Sequence, residues 1–166
     1  LYAKKEQQEW IDPLVVSWGY DNESNVISQF IDYHQMNGTR DYTAFLALPA
    51  CIDFMKTHNW KEKTLLCKSI VLEYGPQFCE LVGTKPLAPL TSEFYGQLFS
   101  IPIYTQDPIK LQQTLFNRFR IEIPVMVQNE KIYLRYSINA FNSKEDLEIL
   151  KSALITLTKE GAIQTK

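Results

Sequence analysis

The feature that most constrains this chain is the order of its hydrophobic periods beyond residue 90. A period of two runs over 98–104, a helical period over 108–119, a period of two again over 121–127 and 131–138, and a helical period closes the chain. Strand, helix, strand, strand, helix is the order of a compact α+β unit. The last two strands meet at Gln128-Asn129-Glu130, which reads as a hairpin turn. Ser143 can cap the final helix with Asp146 reciprocating, and Leu147, Leu150, Leu154 and Leu157 then share one face.

Upstream, a helix is expected over 41–57, capped by Asp41, with Phe45, Leu48, Ile52 and Met55 at helical spacing and Pro49 kinking it. A second over 60–81 carries Leu65, Ile70, Leu72 and Phe78 and stops at Gly83, after which Pro86 and Pro89 mark a connector. Residues 1–40 read as short strands and loops, with Leu14-Val15-Val16 as a β-branched run and 21–29 as a polar loop. Leu1-Tyr2-Ala3 is strand-like, with no initiator methionine and no polar lead-in, so the chain is expected to be a fragment entered in mid-element.

With 166 residues, 45% hydrophobic and 13% aromatic, the chain can bury one core. The 17 basic and 19 acidic residues form no basic block, so a nucleic-acid partner is not expected. The apolar runs fall far short of the ~20 residues of a membrane-spanning helix, and no secretion signal is visible, so a soluble, cytoplasmic protein is expected. Cys51, Cys67 and Cys79 form no Cys-x-x-Cys pair and His34 and His58 stand apart, so no metal site is expected; small core thiols and surface histidines account for them.

Three segments carry chemistry. Gly38-Thr39-Arg40-Asp41 sets a glycine, a hydroxyl and a guanidinium before a helix, where free N–H groups can bind an anion; a plain turn and cap is the alternative. Arg135 lies on a strand with Tyr133 and Ser137 on its own face, where a planar fork can grip a carboxylate; an ordinary exposed strand arginine or a structural ion pair is the alternative. Ser17-Trp18-Gly19-Tyr20 follows a strand-like run, where loops line ligand sites and where aromatic packing is the alternative.

In this order the segments resemble the class V aminotransferase family of pyridoxal-phosphate (PLP) enzymes, in its isopenicillin N epimerase-like and cysteine desulfurase-like branch. The matching stretches are Pro13-Leu-Val-Val-Ser-Trp-Gly-Tyr20, Phe30-Ile-Asp-Tyr-His34, Gly38-Thr-Arg-Asp41 with Phe45-Leu-Ala-Leu-Pro-Ala-Cys-Ile-Asp-Phe54, and Leu134-Arg-Tyr-Ser-Ile-Asn-Ala-Phe-Asn142 with Glu145-Asp146-Leu147. The resemblance implies a fold between α/β and α+β: the C-terminal part of a fold-type I PLP-dependent transferase, whose small domain packs helices on a short, largely antiparallel sheet. Residues 1–40 would be a remnant of the large PLP-binding domain, 41–85 connecting helices, and 86–166 the small domain.

The resemblance also implies roles. Thr39, with Gly38 and Arg40 beside it, would reach the PLP phosphate in the active site of the partner subunit of a homodimer. Arg135 would hold the α-carboxylate of an amino-acid substrate, with Trp18 lining the same site. The family's Schiff-base lysine precedes the strand matched by Leu1-Tyr2-Ala3 and its ring-pairing aspartate lies further upstream, so Lys4 and Lys5 do not take the lysine's place. The intact enzyme is then expected to epimerise, transaminate or cleave a carbon–sulfur bond, and this stretch alone to be inactive and to hold no covalent PLP. The rival expectation is a standalone, non-catalytic α+β domain that binds a protein partner or a small carboxylate.

Overall fold

In the computed structural model, which describes residues 1–21 and 28–165, the period-two runs form one antiparallel sheet. Its strands are β1 (Leu98–Ile103), β2 (Val125–Gln128) and β3 (Lys131–Ser137), in the order β1-β3-β2. Phe99 pairs with Tyr136 and Ile101 with Leu134, and all four are buried, so the alternation along each strand sends one face to the core. On the opposite face Ser100 pairs with Arg135 and Pro102 with Tyr133. Pro102, which lacks an N–H, is tolerated because β1 is an edge strand. Asn129 and Glu130 take left-handed φ values of 48° and 61°, the pair of positive φ angles of a two-residue hairpin turn.

Three helices complete this unit: α4 (Trp60–Leu81), α5 (Pro108–Phe119) and α6 (Lys144–Lys159). They follow the expected spans closely. Gly83, at φ 72°, ends the first of them, and Thr84 N–H closes back on the Cys79 carbonyl at 2.8 Å. The capping box at Ser143 forms, with Asp146 accepting from Ser143 N–H at 3.0 Å, and all four predicted leucines of α6 are buried. The buried residues of α4 are Cys67, Ile70, Val71, Tyr74, Gly75, Phe78 and Cys79, whereas Leu65 is exposed.

The strand expected over 121–127 begins instead at Val125. Arg120, at φ 59°, caps α5 and Ile121 N–H returns to the Leu115 carbonyl at 3.0 Å, so these two residues close the helix instead of entering the ladder.

The chain divides into two compact units, Leu1–Asp53 and Phe54–Lys166. The buried hydrophobic core, from Cys67 to Ile163, lies in the second. Among the described residues of the first, Asp32 is the buried one. This unit holds a 3-10 helix (Lys5–Trp10), α1 (Gln29–Gln35) and α2 (Thr43–Leu46), while α3 (Leu48–Thr57) contains the division.

No strand forms among its described residues, which corrects the strands expected at Leu1–Ala3 and Leu14–Val16. A strand needs a ladder partner, and Leu14 to Val16 are instead exposed. Most of the loop expected over 21–29 lies outside the described residues, and Gln29 already belongs to α1. The helix expected over 41–57 is broken at Ala47, with Pro49 in the first turn of α3, where its missing N–H costs nothing. Its apolar positions Phe45, Leu48, Ile52 and Met55 are exposed rather than packed.

In the second unit α4 meets the sheet closely at Gly75, where a Cβ would collide with the Phe99 ring. That ring is fully buried and stacked on Tyr95 and Tyr136, at centroid distances of 4.9 and 5.8 Å, so it has nowhere to move. Replacing a helical glycine by alanine ordinarily stabilises by about 1 kcal/mol. Here overpacking reverses the sign: Gly75→Ala is expected to lose about 1–3 kcal/mol, read as a lower midpoint in chemical denaturation. A higher midpoint would contradict this packing.

Candidate functional site

The predicted site residues fall in both units: Trp18, Gly38, Thr39 and Arg40 in the first, Arg135 in the second. Around Trp18 the chain is fixed by its neighbours. Tyr20 stacks on Tyr33 of α1 at 4.9 Å, and a Cβ at Gly19 would collide with the Asp32 backbone, so only glycine lets this loop lie against the helix. α1 is itself held by Ser28, whose hydroxyl accepts from Ile31 N–H at 3.1 Å. Trp18, however, is 91% exposed, so its ring is presented outward instead of packed.

The turn after α1 has Gly38 at φ 124°, a backbone region that side chains avoid, although a Cβ there would touch nothing within 4 Å. Conformation, not space, selects the glycine. Thr39 is exposed, and among the described residues its hydroxyl has no hydrogen-bond partner. The Arg40 guanidinium donates to the Gln35 carbonyl at 3.2 Å and lies over the Tyr42 and Phe45 rings, 5.3 and 5.0 Å from their centroids. Asp41 accepts from Thr43 N–H and from the Thr43 hydroxyl, both at 2.9 Å, although Tyr42 and not Asp41 occupies the cap position. These bonds, the backbone one first, hold the Asp41 carboxyl below its usual value.

Arg135 is carried by the central strand, between the buried Leu134 and Tyr136. Its backbone N–H donates to the Pro124 carbonyl at 3.2 Å, and the main chain beneath the side chain is thereby fixed. Arg135 is half-buried as a residue, and among the described residues no carboxylate pairs with it. Arg118 shows the contrast: it is locked to Glu160 by two bonds of 2.7 and 2.8 Å. Ser100, directly across from Arg135, escaped the sequence reading because cross-strand register is not written in either strand alone.

Cys67 and Cys79 are buried on α4, and burial pushes the Cys79 thiol up. Cys51 is exposed, against the expectation of a core thiol, because its stretch of α3 is uncovered. Among the described residues no three His, Cys, Asp or Glu side chains gather as metal ligands, and no helix is long and apolar enough to cross a membrane.

No family model matches the chain. Individual proteins do. It is 28% identical to an isopenicillin N epimerase of Amycolatopsis lactamdurans, over 96% of this chain and 42% of the relative. It is 27% identical to a probable chloroplastic L-cysteine desulfhydrase of Arabidopsis thaliana, over 97% of this chain and 36% of the relative. An isopenicillin N epimerase of Streptomyces clavuligerus matches at 27%, over 96% and 43%. The chain thus spans about two-fifths of the length of these relatives, and the resemblance read from its motif order is borne out along nearly all of it. Helices packed on a short antiparallel sheet are the architecture that resemblance implied.

The Asp41–Thr43 contact sets a pH test. A carboxyl whose folded pKa is depressed contributes stability above its unfolded value of 3.8, and that contribution is lost as the pH falls through the lower folded value. The Thr43 amide resonance should therefore titrate with a midpoint below 3.8, and Asp41→Asn should abolish the titration. A midpoint at or above 3.8 would contradict the contact.

Proposed function

We propose that this chain, a relative of isopenicillin N epimerases and L-cysteine desulfhydrases, is the C-terminal portion of a PLP-dependent enzyme that acts on an amino acid. In this reading residues 1–40 come from the PLP-binding domain, 41–85 connect, and 86–166 form the small domain. The observation that carries the proposal is Arg135: a half-buried residue on a central strand, with no carboxylate of its own among the described residues. A ligand with a matching anion completes such an arginine. A substrate α-carboxylate does so with two parallel hydrogen bonds.

The turn at Gly38 and Thr39 fits a phosphate contact, since its hydroxyl is exposed and uncommitted and the glycine leaves the approach open. Arg40 adds positive charge beside that turn while the Gln35 carbonyl and two rings steady it. In a homodimer this turn would serve the partner subunit's cofactor, and Trp18 would offer its exposed ring to the substrate. PLP, when bound, supplies an electron sink that weakens the bonds at the substrate α-carbon. Arg135 would fix which of those bonds faces the cofactor by holding the carboxylate in one orientation. Epimerisation, transamination and carbon–sulfur cleavage all use that same grip.

In the complete PLP-loaded protein, Arg135→Ala is expected to weaken amino-acid binding by about 2–5 kcal/mol while the PLP content stays constant. Calorimetric titration with glycine and absorbance of released cofactor measure the two quantities. Unchanged glycine affinity would remove Arg135 from the site.

A further inference from the structure

The second unit holds a cavity of about 800 Å³, within the usual range of small-ligand sites. Two of its lining residues are a cross-strand pair: Pro102 of β1 lies directly across from Tyr133 of β3, and both are half-buried. Leu87 adds an exposed apolar side chain to the lining. Among the described residues Tyr133 makes no ring stack and its hydroxyl has no hydrogen-bond partner, so the ring is not committed elsewhere.

Lysines enter the same cavity from two directions. Lys131 opens β3, and Lys85 lies on the connector after α4. That connector is held in place: the Thr84 hydroxyl donates to the Pro102 carbonyl at 2.9 Å, and Thr84 N–H donates to the Cys79 carbonyl at 2.8 Å. Among the described residues neither lysine pairs with a carboxylate. Glu130 is the acidic residue of the lining, so two ammonium groups against one carboxylate leave the cavity positive. Arg135 does not line it.

We infer that this cavity is a binding site for a small aromatic carboxylate, a flat ring that packs on Tyr133 and Pro102 while Lys85 and Lys131 hold its acid group. The ring gains buried area and offset stacking on the phenol. Both lysines are exposed, so each adds a modest attraction that salt screens. Packing on the floor supplies the affinity, and the lysines select the charge. A neutral ring forfeits that attraction, and a second acid group would meet Glu130.

The probe is 2-naphthoate, titrated calorimetrically into the complete PLP-loaded protein, with 2-naphthamide as its uncharged counterpart. Naphthoate should bind more tightly than naphthamide, by a margin that shrinks as salt is added. Lys85→Met and Lys131→Met keep the length of the side chain and remove its charge. Each should weaken naphthoate about threefold and leave naphthamide unchanged, while Lys85→Arg should bind naphthoate as the native protein does. Tyr133→Leu should weaken both ligands on the order of fivefold. In Arg135→Ala naphthoate affinity should stay constant, which separates this cavity from the amino-acid grip. Naphthoate binding indifferent to both lysine-to-methionine variants overturns the inference, as does naphthamide binding equally tightly. Binding that disappears in Arg135→Ala assigns the probe to the grip and overturns the inference as well.

Discussion

The contact between Gly75 and the Phe99 ring is the constraint on which the rest of the second unit depends. A helix can approach a sheet this closely only where a side chain is missing, and α4 supplies that gap opposite the largest buried ring of β1. Phe99 then stacks on Tyr136 of β3, which meets Phe78 of α4 edge-on at 5.4 Å. The Tyr136 hydroxyl donates to the Val71 carbonyl at 3.1 Å, which satisfies its one polar atom inside the core. Helix, edge strand and central strand are thus tied together through one aromatic cluster.

That cluster determines what the other side of the sheet can do. With Leu134 and Tyr136 committed to the core, strand alternation leaves Tyr133, Arg135 and Ser137 on the opposite face. Arg135 inherits a backbone that cannot turn without dismantling the core. The strand fixes where the Arg135 side chain starts, and its planar fork dictates the angle at which a carboxylate is met. The first unit is built differently: its described residues contribute no buried hydrophobic side chain, and its order comes from local devices such as the Ser28 cap, the Gly19 contact and the Asp41–Thr43 bonds.

Legibility in the sequence follows the same division. Over 60–166, local signals and tertiary packing agree: the period-two run of β3, the capping box at Ser143 and the stop at Gly83 all appear as read. β2 was misplaced because helix closure at Arg120 and Ile121 competes with strand propensity and wins. In the first unit, propensity at Leu14 to Val16 had no ladder to join, and the apolar spacing of Phe45, Leu48, Ile52 and Met55 found no core to face. Arg135 and the Gly38–Thr39 turn were visible as residue types in a suggestive order. Ser100 opposite Arg135, and the cavity beside Tyr133, arise only from register and packing.

The central claim is that Arg135 is the fixed cation that receives an amino-acid carboxylate. A crystal structure of the complete PLP-loaded protein with glycine bound tests it most directly. The account predicts both carboxylate oxygens about 2.7–2.9 Å from two guanidinium nitrogens of Arg135, above the unchanged β1-β3 register. Glycine seated in the cofactor site with its carboxylate on another residue, and Arg135 still unpaired, would contradict it.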